Sequence, residues 1–336
     1  MASASCTADK DEAVEFRQIG KGFCGSVWAA DRPGPAWALK REDGGPLRSV
    51  LRDSASHQII EQSLKHFQAT AALATKLNIP QHRAMVLGND QQWWNERYQR
   101  FPSNYEHCNT LITERILPVA RPAREKLVDL FCHQKSQEAI KNSRKDEDCL
   151  IRPYIGRRRN HFSCPSPFFT LRNKPLLSNQ LEELGLPVEE YAAVMADALA
   201  IIFWHSHLDA NDVEFVLAPA RAGESATESD VLGAHRLWVL DFDCVKSMTM
   251  DEQGIDQAAK AFFRNDPFYP RPDGEHENDH KLWRIFVERF LASSSVIIGD
   301  SKLPGTMVKR LEELGTERKY RAERIRRAEE NDLAVS

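Results

Sequence analysis

The chain lacks any apolar run long enough to cross a bilayer. Its longest, Tyr191 to Trp204, is interrupted by Asp197 and falls short of the ~20 residues a spanning helix needs. An N-terminal apolar stretch is also missing: Met1 to Glu15 is polar and partly acidic, unlike a secretory signal, so a cytoplasmic location without membrane contact is expected. No Cys-x-x-Cys pair and no paired Cys/His spacing occurs. The seven cysteines (Cys6, Cys24, Cys108, Cys132, Cys149, Cys164 and Cys244) are scattered and odd in number, which argues against a structural zinc site. The adjacent Cys132-His133 reads as a coincidence on a helix surface. Internal repeats are absent. Large charge of one sign is absent too: 45 Lys and Arg against 49 Asp and Glu leave a net charge of −4. That excludes a global attraction to nucleic acid, so DNA is not an expected partner and any RNA contact must use local patches.

What is present is a globular composition, 42% hydrophobic and 28% charged over 336 residues, enough for one two-lobed unit or two ordinary domains. The most informative stretch is 205–217, His-Ser-His-Leu-Asp-Ala-Asn-Asp-Val-Glu-Phe-Val-Leu. A protein-kinase catalytic loop places His-x-Asp five residues ahead of a metal-binding Asn, then an apolar strand. His207, Asp209 and Phe215-Val216-Leu217 fill those places, but the Asn position holds Glu214. His205-x-His207 has a spacing that could chelate a metal, although in such loops the His is a packed structural residue.

Other signals follow in the same order. Gly20-Lys21-Gly22-Phe23-Cys24-Gly25-Ser26-Val27 matches Gly-x-Gly-x-x-Gly-x-Val, in which glycines let the backbone approach phosphates without a Cβ clash. Trp37-Ala38-Leu39-Lys40 is an apolar strand ending in Lys, as in Val-Ala-Ile-Lys. Leu237 to Leu240 runs into Asp241-Phe242-Asp243, where kinases carry Asp-Phe-Gly. The expected fold class is therefore α+β, a protein-kinase-like two-lobed fold with a β-rich N-lobe and a helical C-lobe.

The expected organisation begins with a disordered segment 1–15. An N-lobe spans 16–117, with three antiparallel strands in 16–41, a Pro33-Gly34-Pro35 turn, a helix over 49–68, and strands at 82–87 and 110–117. Either Asp53 or Glu61 would pair with Lys40. The prolines Pro118 and Pro122 mark the hinge into a C-lobe, 118–300. That lobe carries an inserted, partly irregular region at about 134–180 and an amphipathic helix over 188–204. A surface link covers 221–233, and helices follow at about 251–263 and 279–292. A basic helical tail occupies 301–336.

Glu in place of Asn adds charge where a triphosphate would sit, although it could still ligate magnesium. Asp209, Asp212, Glu214, Asp241 and Asp243 would bring up to five carboxylates to one cleft. Such a cluster could accept a guanidinium, or hold one carboxyl poised as a general base. Asp212 as a turn cap and Asp243 as a solvated residue are the plainer readings of those two.

Asp209 to Leu217, Leu240 to Cys244, Phe262 to Pro272, Cys149 to Arg158 and Phe169 to Asn173 together resemble a fungal family. That family is labelled "zinc finger protein" and includes the arginine-containing cyclodipeptide synthases of secondary metabolism; the likeness spans roughly residues 16–295. It implies an aminoacyl-tRNA-dependent aminoacyltransferase that joins Arg to a second amino acid and closes the pair to a diketopiperazine. No cofactor would be needed, because aminoacyl esters are already activated. On this reading Asp209, Glu214 and Asp212 are catalytic, and Asp241, Asp243 and Lys40 bind substrate. Arg-tRNA and a second aminoacyl-tRNA would be the partners. Arg157-Arg158-Arg159, Lys141, Arg144 and Lys145, together with Arg321, Arg324 and Arg327 of the tail, would meet tRNA phosphates. Cys24 and Ser26 are candidates for an acyl-enzyme. The alternatives are a small-molecule phosphotransferase using ATP and magnesium, and a non-catalytic pseudokinase.

Overall fold

Alternating apolar residues in the first described hundred positions build a twisted antiparallel sheet. The computed structural model describes residues 14–335, save 33, 35, 47, 71, 72, 74 and 160–168, with side chains as far as residue 328. The segment 1–13, Cys6, Cys164 and the two prolines of the 33–35 turn lie outside the described residues. The first elements are β1 (Phe16–Lys21), β2 (Ser26–Ala30), β3 (Trp37–Arg41), α1 (Val50–Ala69), β4 (Leu77–Asn78), β5 (His82–Val86), α2 (Gln91–Arg97) and β6 (Thr110–Glu114). Five of these strands form one sheet in the order β1-β2-β3-β6-β5. Phe16, Trp28, Leu39 and Ile112 from its strands meet Val86, Trp94 and Phe101 in a small core of their own. Arg41, fully buried, lays its guanidinium over the rings of Phe101 (4.7 Å) and Trp94 (5.2 Å), so its flat face does the packing work of an apolar side chain.

Helix α1 buries Val50, Asp53, Ser54, His57, Ile60, Glu61, Leu64 and Phe67. The spacing is that of one helix face, but half of the stripe is polar. Such a stripe is costly unless each group has a partner, and Asp53 finds its partner in the cleft.

The chain continues through α3 (Arg121–Phe131), α4 (Gln137–Lys141), β7 (Ile151–Tyr154), β8 (Lys174–Leu177), α5 (Ser178–Glu183), α6 (Val188–Ala200), β9 (Glu214–Pro219), β10 (His235–Leu240), α7 (Glu252–Arg264), α8 (Glu277–Ile298) and α9 (Leu303–Val335). The region is helical around a second sheet, β4-β10-β9-β7-β8. The whole is α+β, a β-rich N-terminal region followed by a helical one, compatible with two lobes. Two details add to expectation. Region 134–180, expected as an inserted, partly irregular stretch, supplies β7 and β8 to the second sheet. Strand β4, from the N-terminal region, also crosses to that sheet and pairs in parallel with β10, Leu77 opposite Leu237.

The large core centres on α6 and α8. Helix α6 is buried nearly all round, from Val194 through Ala200 without a break, rather than on one stripe. Its Asp197 is tolerated there because Arg289 (2.6 and 2.9 Å) and the Ser293 hydroxyl donate to its carboxylate. A single wider turn, 201–205, ends the helix and packs Phe203 edge-on and Trp204 at a tilt against Phe290. The first turns of α9 bury Met307, Val308 and Leu311, and Arg310 pairs with Asp256 of α7 at 2.9 Å. No helix among the described residues is long and apolar enough to cross a membrane.

Phe290 is almost fully buried among three aromatic neighbours, Phe203, Trp204 and Phe286. Phe290→Ala should lower stability by about 3–5 kcal/mol through the cavity it leaves. Urea unfolding should show this as a lower midpoint with an unchanged slope.

Candidate active site

The cleft between the two sheets is organised by one cation. Lys40, at the inner end of β3, donates to the carboxylates of Asp53 and Asp241, the latter at 2.6 Å. Asp53 sits one turn into α1, so the choice between Asp53 and Glu61 falls to Asp53. Glu61 instead pairs with Lys65 one turn along the same helix. Burial alone would lower the Lys40 ammonium's pKa, but Asp241 and Asp53 outweigh it and hold the group well above its ordinary value. Burial would likewise raise Asp241, and Lys40 overcomes it, keeping that carboxyl below its usual range.

Around this clasp lies a cavity of about 500 Å³, within the ~300–1,000 Å³ of small-molecule sites. Its lining holds eight carboxylates and six Lys or Arg side chains, a surplus of negative charge. Four of the five carboxylates expected there line it: Asp212, Glu214, Asp241 and Asp243. Asp209 does not. It is 1% exposed and accepts from the backbone N–H groups of Asn211 (3.1 Å) and Lys246 (2.9 Å) and from the Gln257 side chain (2.9 Å). With those three donors it pins the loop to the segment after β10, so a catalytic Asp209 is corrected to a positioning residue.

The loop itself is strained. His207, Ala210, Asp212 and Asp241 all have left-handed backbone, with φ of 53°, 52°, 62° and 67°. Non-glycine residues there cost energy and persist only where surroundings enforce them. Asn265, just past α7, supplies part of that enforcement. Its side chain accepts from the Asp212 N–H (2.7 Å) and donates to the Ala210 carbonyl (2.8 Å).

Glu214 opens β9 directly opposite Leu240, which places it beside Asp241. Arg152, on β7, donates to it at 2.5 Å. Burial, helped by Asp241 and Asp212 and opposed by Arg152 and Lys40, pushes the Glu214 carboxyl up to about 7. Asp243 is buried rather than solvated. Its carboxylate takes Arg48 at 2.9 and 3.1 Å, and the same guanidinium reaches Asp212 at 2.9 Å. Burial and the neighbouring Asp241 raise Asp243. Asp212 is no turn cap; about half of its side chain faces solvent.

The glycine loop folds back on the segment before Arg48. The Cys24 and Phe23 carbonyls accept from Gly44 (3.1 Å) and Gly45 (2.8 Å). A Cβ on Gly25, at φ +154°, would stand 2.0 Å from the Arg41 carbonyl oxygen, so this position tolerates only glycine. Phe23, at the loop tip, is 82% exposed and covers Arg48 at 5.7 Å. Burial pushes the Cys24 thiol up to about 12, which leaves little thiolate for nucleophilic attack. Ser26 is buried outside the cavity lining, and its hydroxyl donates to Asp43 at 2.6 Å.

The basic residues divide. Arg158 is spent within the fold, bidentate to Glu182 (2.7 and 2.7 Å) and bound to Asp279 (2.6 Å), so its expected phosphate contact is corrected to a structural tie. The Arg159 N–H donates to Asn179, while Arg157 is exposed. Arg321, Arg324 and Arg327 are exposed along α9.

Sequence reasoning missed Arg48, Arg152 and Asn265 as site residues. Arg48 has no periodic signal, lying in the turn before α1. Arg152 did carry one, since Arg152 and Tyr154 alternate with buried Ile151 and Pro153, a polar face on a central strand.

A family model described as "Zinc finger protein" matches residues 237–302. The match covers β10, Asp241, Asp243, α7 and α8, one wall of the cleft, and carries the label that the sequence resemblance leads one to expect. No curated protein matches the chain. The donor set does not fit the zinc description. Among the described residues the one group of three or more possible ligands is Asp212, Asp243 and Cys244, and Arg48 bonds to all three. A structural zinc site takes four Cys or His ligands; here three donors are mostly oxygen and already hold a guanidinium.

Because folded Glu214 titrates near 7 and an unfolded glutamate near 4.5, the folded state binds more protons between those values. Wild-type stability attributable to this group therefore falls as pH rises through that window. Glu214→Gln should gain stability relative to wild type from pH 4.5 to 7, read from urea midpoints of both proteins at each pH.

Proposed function

We propose that the cleft is the active site of a tRNA-dependent, arginine-containing cyclodipeptide synthase. The observation that carries this reading is the place of Glu214. It stands at the kinase Asn position, inside the cavity, beside the Lys40–Asp241 clasp and held by Arg152. A carboxyl titrating near 7 is matched to an α-amine of pKa about 7.7–8, and general-base efficiency is greatest near the working pH.

The chemistry balances without ATP. The α-amine of one aminoacyl ester attacks the carbonyl carbon of the other. A C–N bond forms, the C–O bond to the ribose breaks, Glu214 takes the amine proton, and the departing ribose oxygen takes a proton in turn. The free amine of the dipeptidyl ester then attacks its own ester, closing the six-membered ring and releasing the second tRNA. Lys40 lines the same cavity as Glu214, and its ammonium is the group that would steady negative charge on the carbonyl oxygen. The half-exposed carboxylates of Asp212 and Asp266 at the cleft suit a substrate guanidinium. Exposed Arg157, Arg321, Arg324 and Arg327 suit tRNA phosphates.

The Lys40–Asp53–Asp241 clasp favours a second reading, a small-molecule phosphotransferase in which Asp241 and Glu214 would hold magnesium against ATP. Against it, Arg48 already supplies the cation between Asp212 and Asp243. Calorimetry decides: tight magnesium-ATP binding by the wild type supports the phosphotransferase. No turnover with ATP or with aminoacyl-tRNA would leave a non-catalytic scaffold.

Expression in a heterologous host with mass spectrometry for arginine diketopiperazines tests the main reading. Glu214→Gln keeps shape and removes the charge; it should cut product on the order of 100- to 10,000-fold, and Glu214→Asn should do the same. Wild-type product from a folded Glu214→Gln protein would sink the acidic site. Removing Arg152 takes away the nearest charge favouring ionised Glu214. Arg152→Ala should therefore move the acid limb of the pH–rate profile above 7 while leaving its alkaline limb in place.

A further inference from the structure

A second cavity, of about 290 Å³, lies where the end of β7 meets the link from α7 to α8. It shares no lining residue with the cleft. One arginine in its lining, Arg158, is neutralised by Glu182 and Asp279. The other two, Arg157 and Arg271, have no carboxylate within ion-pair distance among the described residues. Arg271 is the informative one. Two of its N–H groups donate to main-chain carbonyls, of Phe262 at 2.7 Å and Asn265 at 3.3 Å, and its guanidinium lies over the rings of Phe262 (4.7 Å) and Phe263 (5.1 Å). A guanidinium carries five donors, so neutral carbonyls use only part of it and leave the charge unpaired. Burial, with Arg318 adding to it and Asp273 opposing, pushes the Arg271 pKa down to about 10. The group stays charged at neutral pH, at a cost that an anion would offset.

A third guanidinium stands close by. Arg318 of α9 lies over the same Phe263 ring, also at 5.1 Å, so two cations share one ring. Arg318 has Asp273 at 3.6 Å, and Asp273 lines the cavity. Helix α9 passes tightly against this link, since a Cβ on Gly315 would stand 2.7 Å from Pro272. Beyond Arg318 the same helix carries exposed Arg321 and Arg324. Gly156 keeps the flank of Arg271 open, because a Cβ there would stand 2.8 Å from the Arg271 Cγ and 3.1 Å from its Nε. Converging guanidiniums suit an anion with several acceptor oxygens, which phosphate offers. Further arginines along a helix match a chain of phosphates better than a single anion.

We infer that this second cavity holds a backbone phosphate of the tRNA, bound by Arg157, Arg271 and Arg318. The inference rests on the synthase reading for the identity of the RNA, and deepens it by naming an anchor for the RNA outside the cleft. The two sites are joined by one short segment. Arg271 donates to the Asn265 carbonyl, and the Asn265 side chain holds the loop of Ala210 and Asp212. A phosphate gripped at Arg271 therefore keeps the RNA in register with the cleft. Exposed Glu275, also in the lining, opposes the anion and gives the test a control of opposite sign.

The test uses the full chain, with uncharged tRNA read by fluorescence anisotropy and inorganic phosphate read by calorimetry. Arg157→Ala and Arg271→Gln should each weaken tRNA binding on the order of tenfold and lower the slope of log affinity against log salt by about one. Glu275→Gln should tighten tRNA binding roughly twofold. If Arg271→Gln fails to fold, Arg157→Ala, which alters an exposed side chain, decides. Unchanged tRNA affinity and salt slope in the folded variants overturn the inference. Inorganic phosphate lost from both variants while tRNA binding is untouched also overturns it, and gives the cavity to a free anion. Weaker tRNA binding by Glu275→Gln does the same, since the cavity would then use that carboxylate for a cation. Formation of the cyclic dipeptide from charged tRNA is assayed on the same wild-type protein. Product, with tRNA binding unchanged in the variants, leaves the synthase standing and removes the cavity's role. Loss of tRNA affinity in the variants of a wild type that makes no product keeps the cavity and removes the synthase.

Discussion

The three-way ion contact of Lys40 with Asp53 and Asp241 ties together elements that otherwise have little reason to meet. It joins β3, α1 and the end of β10, residues up to 201 positions apart in the chain. An ammonium buried between two carboxylates is stable only while both remain, because removing one partner leaves an uncompensated charge. Asp241 has left-handed backbone where it meets Lys40, and Glu214 and Asp243 both feel the pair, Asp241 pushing their carboxyls up and Lys40 opposing it. Arg48 completes a second bridge between the regions, so two cations from the N-terminal region are set into acidic positions of the helical one.

Much of this fold was legible in the sequence, and for identifiable reasons. The strands at 16–41 and the strand pair β9–β10 carry apolar runs, and α1 a one-face spacing although half of that face is polar; all were found within a residue or two. Their order along the chain located the cleft. What escaped was determined by long-range pairing. Nothing local in Leu77-Asn78 says that it will join a sheet built from residues far downstream. Likewise β7 and β8 sit in a Lys-, Arg- and Asn-rich stretch whose polarity hides two buried strands.

The site was legible in part, for a related reason. Spacing shows which acidic residues lie near one another in the chain, and four of five did line the cavity. Spacing cannot show which way each points on a loop with three left-handed residues between His207 and Asp212. Asp209 therefore turns inward to serve the loop itself, while Glu214, on the regular strand that follows, faces the cavity. Arg48 and Arg152 were missed because a guanidinium's partner is fixed by tertiary contact. The same holds for Arg158, which the fold consumes in two carboxylates.

Strand β4 has a consequence for biogenesis. The Arg236 guanidinium that secures it donates to the Lys76 carbonyl across 160 positions of chain. At about 5–20 residues per second of synthesis, Leu77-Asn78 leaves the ribosome roughly 10–30 s before its sheet partner exists. The N-terminal region is thus committed to waiting with one strand unpaired, and with the Lys40 ammonium holding only Asp53 of its two carboxylates. Any nascent-chain assay that stalls synthesis between residues 120 and 235 would hold that intermediate for inspection, with α1 formed and the cleft still open.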